Sequence, residues 1–283
     1  MTHRPTTDPT TAPDRVGHVP TRLGRLHVRS GGDGDGAPVV LWSSMFVDGH
    51  TWDRFLPHLR TDRRYLVVDP PGLGRSEPLR RRSTVAEAAD AATDLLAAVY
   101  PDAPVDWVGN ALGGHVGLDL GTRPGVLRSL VAVSSPTEAI APALRRQIHL
   151  LLPLLRTLGP VGPVRDAVLE AMLTDASRAD EEVRRVVADS LSRPTRRSAA
   201  LAVRSFILDR VDVTARLADL TVPSLFVASD DRGDWDPRDA EAAARLAPRA
   251  EAVTVAGART LVPLEQPEAL ARHVERFHAS LED

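Results

Sequence analysis

The segment Trp107-Val108-Gly109-Asn110-Ala111-Leu112-Gly113-Gly114-His115 joins a short apolar, strand-like run to a run with helical periodicity. A residue held in a sharp, strained turn between a strand and a helix needs small neighbours on both sides, and the glycines at 109 and 113 meet that need. The segment therefore predicts a strand–turn–helix unit with Ala111 at the apex of the turn.

Short apolar runs alternate with helical segments on both sides of this turn. Such runs suit strands that are covered on both faces. Each crossover between parallel strands must pass back over the sheet, so the alternation predicts a mainly parallel sheet with helices on both faces. The predicted strands are residues 23–28, 39–42, 65–68, 105–108, 130–133, 224–227 and 252–255, and the predicted helices are residues 85–99, 111–120, 239–246 and 267–281.

One long segment, residues 138–213, interrupts this alternation. It is rich in Ala, Leu and Arg and has helical periodicity without a clear strand. In a doubly wound sheet, a helical insertion after a central strand lies above the carboxyl ends of the strands, where ligands bind. We expect a core formed by residues 22–137 and 214–283 and a helical lid at 138–213, with ordinary packing helices as the alternative. Residues 1–21 are expected to form a disordered tail.

Composition limits the function. The chain has 283 residues, of which 43% are hydrophobic, enough for a substantial core. A net charge of -3 leaves no basic field to hold nucleic acid or an acidic membrane. The absence of cysteine excludes disulfides and thiolate sites, and no apolar run is long enough to span a bilayer. We expect a cytoplasmic protein without metal or cofactor whose ligand is small and mainly apolar. The sequence does not indicate an oligomeric state.

The turn at residue 111 resembles the nucleophile elbow, G-x-S-x-G, of the α/β-hydrolase superfamily. The resemblance extends from about residue 22 to residue 281, and the similar segments occur in the family's order. It implies the α/β-hydrolase fold: a mainly parallel, eight-stranded type of sheet with helices on both faces and a helical lid. The similar segments are residues 38–52 (strand and oxyanion loop), 69–76 (D-x-P-G-x-G-x-S loop), 222–227 and 230–232 (strand and loop of the catalytic acid), and 255–268 (loop and helix of the catalytic histidine).

The chain departs from the family at the residues that react. The family's mechanism needs a nucleophile at the elbow and a histidine that activates it, oriented by an acid. The elbow position carries Ala111, whose methyl group can neither attack a carbonyl nor release a proton. The histidine position falls on Thr260, whose hydroxyl does not accept protons near neutral pH; a second register places Arg259 there, and arginine stays protonated.

Of the triad, the resemblance leaves only the acid, which it assigns to Asp231. Asp230 or Asp234 of the same Asp-rich loop are alternatives. Because the nucleophile and the base are replaced together, natural loss explains the sequence better than a single engineered substitution at Ala111.

The resemblance places the two oxyanion N–H donors at Met45 and Leu112. Where the family usually has His-Gly, this chain has Ser43-Ser44. Backbone donors survive changes of side chain, so a polar pocket for a carbonyl or carboxylate is expected to persist. Ser43, Ser44 and Asn110 are further candidates for ligand binding.

Three histidines lie in segments near the predicted site or in the lid and are possible replacements for the catalytic base. His115, one helical turn after the elbow, is interpreted as a packing residue; His50 is interpreted as a surface residue of a first helical turn, and His149 as part of the lid. The candidates for an apolar pocket lining are Trp42, Met45, Phe46, Trp52 and Trp235, with burial in the core as the alternative for the tryptophans.

Three functions remain open, because a fold alone does not determine function. The first is a non-hydrolytic pseudoenzyme that binds a small apolar molecule with a carbonyl group. The second is a lyase, cyclase or isomerase in which Asp231 and the oxyanion donors assist the reaction. The third is a residual ester or C–C hydrolase with a relocated nucleophile.

Overall fold

The computed structural model describes residues 15–60, 63–231 and 233–282. Its strands form one sheet in the order β1-β2-β4-β3-β5-β6-β7-β8. Strands β1, β2 and β4 pair antiparallel, and all other neighbours pair parallel. The predicted fold class is confirmed. The strands are β1 (Arg15–Thr21), β2 (Gly24–Gly31), β3 (Val39–Trp42), β4 (Tyr65–Val68), β5 (Val105–Asn110), β6 (Leu127–Val133), β7 (Ser224–Ser229) and β8 (Ala250–Val255).

Helices cover both faces of this sheet. Helices α1, α2 and α8 pack on one face and α10 on the other. Helix α1 begins with a capping box between Thr84 and Glu87. The α-helices are α1 (Val85–Val99), α2 (Leu112–Leu120), α3 (Pro142–Thr157), α4 (Pro163–Met172), α5 (Asp175–Ala179), α6 (Glu181–Ser192), α7 (Arg196–Val203), α8 (Pro237–Leu246), α9 (Val262–Glu265) and α10 (Pro267–Ala279).

Strand β3 shows why the sequences of the central strands are apolar at every position. All its residues are 0% exposed. Successive side chains of a strand point to opposite faces, so Val40 and Trp42 join the core beneath α1 and α2, while Val39 and Leu41 join the core beneath α10. A strand between two helical layers has no solvent face and therefore no polar alternation.

Strand β1 corrects one prediction. It occupies residues 15–21, so the expectation of a disordered tail is wrong for these residues; residues 1–14 lie outside the described part of the chain. β1 is the edge strand and pairs with β2 along its full length. Its residues are exposed or half-buried, so it lacks the apolar run by which the other strands are recognised.

Residues 138–213 lie between β6 and β7. This fully described segment contains α3 to α7, followed by a π-helical turn at Arg204–Leu208, and no strand. We call it the helical insertion. Its residues share a cavity with those that follow the carboxyl ends of β3, β5 and β7. In the described ranges, no helix combines the length and apolar character needed to cross a membrane.

Candidate functional site

The elbow between β5 and α2 has the strained backbone that its sequence predicted. Ala111 lies at φ 46° and ψ -100°, a conformation that costs a non-glycine residue about 1–3 kcal/mol. The flanking glycines are required by close approach: a Cβ on Gly109 would lie 2.1 Å from the carbonyl of Gly113, and one on Gly113 would lie 2.2 Å from the carbonyl oxygen of Trp42. The geometry of a nucleophile elbow is thus kept around a methyl group.

Hydrogen bonds on both sides hold Ala111 in place. Its N–H donates to the Val133 carbonyl of β6 at 2.7 Å. Its carbonyl accepts from the His115 N–H at 3.0 Å and from the Ser135 hydroxyl at 3.1 Å. With its backbone bound to the fold, Ala111 contributes to a cavity wall.

The predicted oxyanion donors lie on the same cavity wall. Met45 follows β3 and Leu112 is the first residue of α2, and both line the cavity. The first N–H groups of a helix have no acceptor inside it and carry partial positive charge. Ser44 also lines the cavity, whereas Ser43 is 0% exposed and is not part of the lining.

Asn110 ties together two of the loops that frame the site. Its amide donates to the carbonyls of Thr260 at 2.8 Å and Val133 at 3.3 Å. It does not line the cavity, so the structure gives this predicted ligand-binding residue a position beneath the site.

Thr260, at the predicted histidine position, lines the cavity. Its hydroxyl donates to the Ala171 carbonyl at 3.3 Å, and its N–H donates to the Met172 carbonyl at 3.2 Å. These bonds join the loop after β8 to helix α4. Thr260 thus belongs both to the cavity wall and to the contact between this loop and α4.

The acidic residues of the loop after β7 differ in their position relative to the cavity. Asp231 does not line the cavity; its carboxylate accepts from the Arg259 guanidinium at 3.1 Å, and its N–H donates to the Ala258 carbonyl at 3.2 Å. Asp234, one of the two alternatives that the sequence offered, lines the cavity together with Thr260.

The surroundings of Asp234 favour its neutral form. Asp234 is an exposed residue of the cavity wall. Desolvation of its carboxyl group by the surrounding protein atoms raises the pKa of Asp234, against the opposing effects of the Arg210 charge and the Thr260 hydroxyl. The next residue, Trp235, is 0% exposed and packs on Phe226 with ring centroids 5.3 Å apart, which fixes the loop.

Each of the three histidines named in the sequence has a hydrogen-bond partner. His115 lines the cavity, but its Nε2 binds the Pro136 carbonyl at 2.8 Å. Burial and the nearby Arg210 charge lower the pKa of His115 to about 3. His50 binds Asp53 at 2.8 Å outside the cavity, and His149 lies exposed on α3. Among the described residues, no other histidine lines the cavity.

The cavity between the sheet and the helical insertion has a volume of about 390 Å³ and mostly apolar walls. Met45 and Phe46 line it as predicted, whereas Trp42, Trp52 and Trp235 are 0% exposed and belong to the core. No group of His, Cys, Asp or Glu side chains in the described ranges is arranged to hold a metal ion. The helical insertion contributes, among others, Leu144, Ile148, Leu151, Leu152, Leu155, Val164, Ala167, Val168, Met172, Val203, Phe206, Ile207 and Arg210.

The fold, the elbow and the cavity at the carboxyl edge of the sheet define a class of protein. The model of the alpha/beta hydrolase family matches residues 36–273, and the chain belongs to this family. The resemblance seen in the sequence is thereby confirmed.

Two relatives of known annotation match over most of the chain. A pimeloyl-[acyl-carrier protein] methyl ester esterase of Photobacterium profundum is 29% identical over 201 residues, covering 68% of this chain and 75% of that protein. A putative carbamate hydrolase of Rhizobium rhizogenes is 26% identical over 204 residues, covering 70% and 75%.

Solved structures share the fold at low identity. A thermophilic esterase from Thermogutta terrifontis has a TM-score of 0.83 at 20% identity, covering 95% of this chain and 100% of the other. An enol-lactonase from Burkholderia xenovorans LB400 also has a TM-score of 0.83 at 20% identity, covering 93% and 100%.

Proposed function

We propose that this chain is a non-hydrolytic member of its family that binds a small, mainly apolar molecule with a carbonyl group between the sheet and a helical lid formed by the insertion. One observation carries the proposal: the methyl group of Ala111 is held at a strained elbow on the wall of an apolar cavity, with Thr260 on the same wall. Neither side chain can perform its step of the family's acyl transfer.

The cavity supports capture of a ligand. Its volume of about 390 Å³ falls in the usual range for small-molecule sites. The apolar walls favour burial of a hydrocarbon body, which contributes roughly 25 cal/mol per Å² removed from water. In this proposal the N–H groups of Met45 and Leu112, two residues of the cavity wall, orient the carbonyl oxygen of the ligand, because backbone donors do not depend on the side chains.

Acid–base catalysis without a nucleophile is the second candidate, and Asp234 is the observation that favours it. A carboxyl group with a raised pKa inside a ligand cavity is suited to exchange a proton with substrate. In a lyase, cyclase or isomerase of this kind, Asp234 would take the role that the sequence assigned to Asp231.

Both candidate functions exclude hydrolysis, so an assay for hydrolysis tests them together. The assay is needed because the named relatives are an esterase and a putative carbamate hydrolase. The protein is incubated with a fluorophosphonate and, separately, with p-nitrophenyl esters. We expect no covalent adduct by intact-mass spectrometry and no burst of p-nitrophenol. A stoichiometric adduct would refute the proposal and establish a relocated nucleophile.

Restoring the lost groups tests whether they account for the inactivity. We expect esterase activity in Ala111→Ser/Thr260→His and in neither single variant, because serine needs a base and histidine needs a nucleophile to activate. Adding Asp234→Asn to the double variant should lower the activity again. Equal activity of the wild-type protein and the double variant would contradict this explanation.

Ligand capture is measured as stabilisation, since a ligand that binds only the folded state at 100 times its Kd adds about 2.7 kcal/mol. Methyl octanoate is the probe, and we expect it to raise the melting temperature without being consumed, as followed by mass spectrometry. Ala167→Trp, on the cavity wall, should abolish this shift, whereas Ala176→Trp, exposed on α5, should retain it. Conversion of the probe would favour catalysis over capture.

A further inference from the structure

A second cavity adjoins the one described above. We call it the outer pocket, and the larger one the main cavity. The outer pocket has a volume of about 270 Å³ and is lined by the start of α1, by α2 and by residues within the segment 209–220. Two residues, His115 and Arg210, line both cavities. The charge of Arg210 contributes to the lowered pKa of His115, as expected for side chains that lie close together. These two residues therefore mark the boundary between the cavities.

The two cavities follow the same two segments of the chain in the same order. Along α2, the lining of the main cavity ends at His115, and that of the outer pocket continues from His115 to Leu118 and Asp119. Along residues 203–220, the main cavity is lined as far as Arg210, and the outer pocket is lined from residue 209 onward. The cavities thus lie end to end, and both segments cross the boundary at His115 and Arg210.

The two boundary side chains differ in how firmly they are held. His115 is 8% exposed, and its Nε2 binds the Pro136 carbonyl at 2.8 Å. Arg210 is half-buried; its Nη2 donates to the Glu138 carbonyl at 3.1 Å, and its Nε has no hydrogen-bond partner. The carboxyl groups of Glu138 and Asp234 attract the Arg210 charge, but within the described ranges no carboxylate forms a salt bridge with it. A long side chain held by one hydrogen bond is the part of the boundary that can move.

The outer pocket suits the hydrocarbon part of a ligand. Its charged groups are already paired: Asp119 binds Arg216 at 3.2 Å and Arg123 at 2.6 Å, and Asp209 binds Arg82. The rest of its wall is mostly apolar and includes Val85, Leu118, Val213, Leu217 and Leu220. Removal of hydrocarbon surface from water is favourable against such a wall, whereas no charged group of the pocket lacks a partner among its neighbours that a polar ligand group could replace.

We propose that the outer pocket is a second compartment of the ligand site, which takes the far end of a long apolar chain, and that Arg210 is the partition that limits the chain length. With Arg210 in place, a chain that lies in the main cavity ends at the boundary. Displacement of its guanidinium, which breaks the hydrogen bond to Glu138, joins the two compartments. This inference rests on the proposed function, because it concerns the length of the ligand that the main cavity binds.

A series of methyl esters tests the partition. The probes are methyl octanoate, decanoate, laurate, myristate and palmitate, each kept below its solubility limit, with affinity measured by calorimetry. Each additional buried methylene raises the affinity about fourfold. For the wild-type protein we expect the affinity to rise along the series and then to level off at one length.

In Arg210→Ala we expect this rise to continue through at least the next ester, which should bind about fifteenfold more tightly than it binds the wild-type protein. Arg210→Ser is a second short replacement, and a cooperative melting transition shows that each variant is folded. Arg204→Ala is the matched control, because Arg204 is exposed in the neighbouring turn and lines neither cavity. The same length limit in the Arg210 variants and in the wild-type protein would overturn the inference.

A further substitution locates the end of the chain. Ala86 is exposed on α1 and lines the outer pocket, so a tryptophan there fills this pocket. We expect Arg210→Ala/Ala86→Trp to return the length limit to that of the wild-type protein. Arg210→Ala/Ala97→Trp should keep the extended limit, because Ala97 is exposed on the same helix and lines neither cavity. An extended limit in both double variants would show that the chain does not enter the outer pocket.

The outcomes separate this inference from the proposed function. If the esters bind the wild-type protein but the Arg210 variants share its length limit, the main cavity captures apolar molecules and Arg210 is not its partition. If none of the esters binds the wild-type protein, both the inference and the proposed capture function fail.

Discussion

At position 111 the backbone adopts φ 46° and ψ -100°, a conformation that glycine reaches more easily than alanine. The strain of about 1–3 kcal/mol exceeds the extra entropy that glycine loses on folding, about 0.5–1 kcal/mol. We therefore expect Ala111→Gly to raise the free energy of unfolding by up to about 1 kcal/mol, measured by urea denaturation. As a control, Ala97→Gly on the exposed face of α1 should lower it by about 1 kcal/mol. A destabilised Ala111→Gly variant would show that the elbow stores no strain.

Asp234 makes stability depend on pH. The pKa of Asp234 is raised in the folded state, so the protonated form contributes to the stability of the fold. This stability is fully present below the unfolded pKa of about 3.9 and is lost as pH rises through the folded pKa. We expect Asp234→Asn to have a higher melting temperature than the wild-type protein at about pH 8, with this advantage shrinking toward about pH 4.

Asp231→Asn is the control for this experiment. It removes the negative charge that pairs with the Arg259 guanidinium at 3.1 Å, so it should destabilise the protein at about pH 8 rather than stabilise it. If Asp234→Asn were less stable than the wild-type protein at this pH, ionised Asp234 would be favourable in its site.

At the scale of elements, the helical insertion is tied to the core by a partly buried ion pair. Arg193, at the end of α6, contacts the carboxylate of Asp48, which also caps the 3-10 helix after β3 by accepting from the His50 N–H at 3.0 Å. Asp48 is 1% exposed, so removal of its partner leaves a buried charge. We expect Arg193→Ala to lower the free energy of unfolding by about 3 kcal/mol and to speed proteolysis within residues 138–213.

A second ion pair between the same regions provides the control. Arg54 binds Glu182 of α6 at 2.8 Å, with side chains 34% and 59% exposed. Solvent screens such a pair, so Arg54→Ala should cost less than about 1 kcal/mol. Equal effects of the two variants would mean that the burial of Asp48 does not determine the strength of the Arg193 contact.

The elements themselves were largely predictable. Helix α1 has the predicted bounds, and β3 and β4 do as well, because apolar runs and helical periodicity are local properties of the chain. The edge strand β1 was not predicted, because its residues are exposed or half-buried and form no apolar run, although the strand pairs with β2 along its full length. Pairing partners that lie on another segment leave no such pattern in the strand's own sequence.

For the whole molecule, buried neutral histidines predict sensitivity to mild acid. Burial lowers the pKa of His278 to about 4, despite the opposing charge of Asp106. The unfolded state binds a proton near its ordinary pKa of about 6.5 and the folded state does not. His278 therefore contributes stability above about pH 6.5 that is lost as pH falls toward its folded pKa.

We expect the melting temperature of the wild-type protein to fall steadily between about pH 7 and about pH 5. His278→Gln should flatten this dependence even if it lowers stability at neutral pH. A slope that is the same in His278→Gln and in the wild-type protein would contradict the assignment to His278.

The sequence by itself determined most of the strands and helices in their order along the chain, and it placed Ala111 and Thr260 where the resemblance implies a nucleophile and a base, because residue identity and periodicity are local properties of the chain. Only the tertiary structure decided that Asp234, and not Asp231, borders the cavity, and that Arg210 reaches its wall. The direction of a loop side chain depends on contacts between segments that are distant in sequence, such as Arg259 with Asp231, and no local pattern records those contacts.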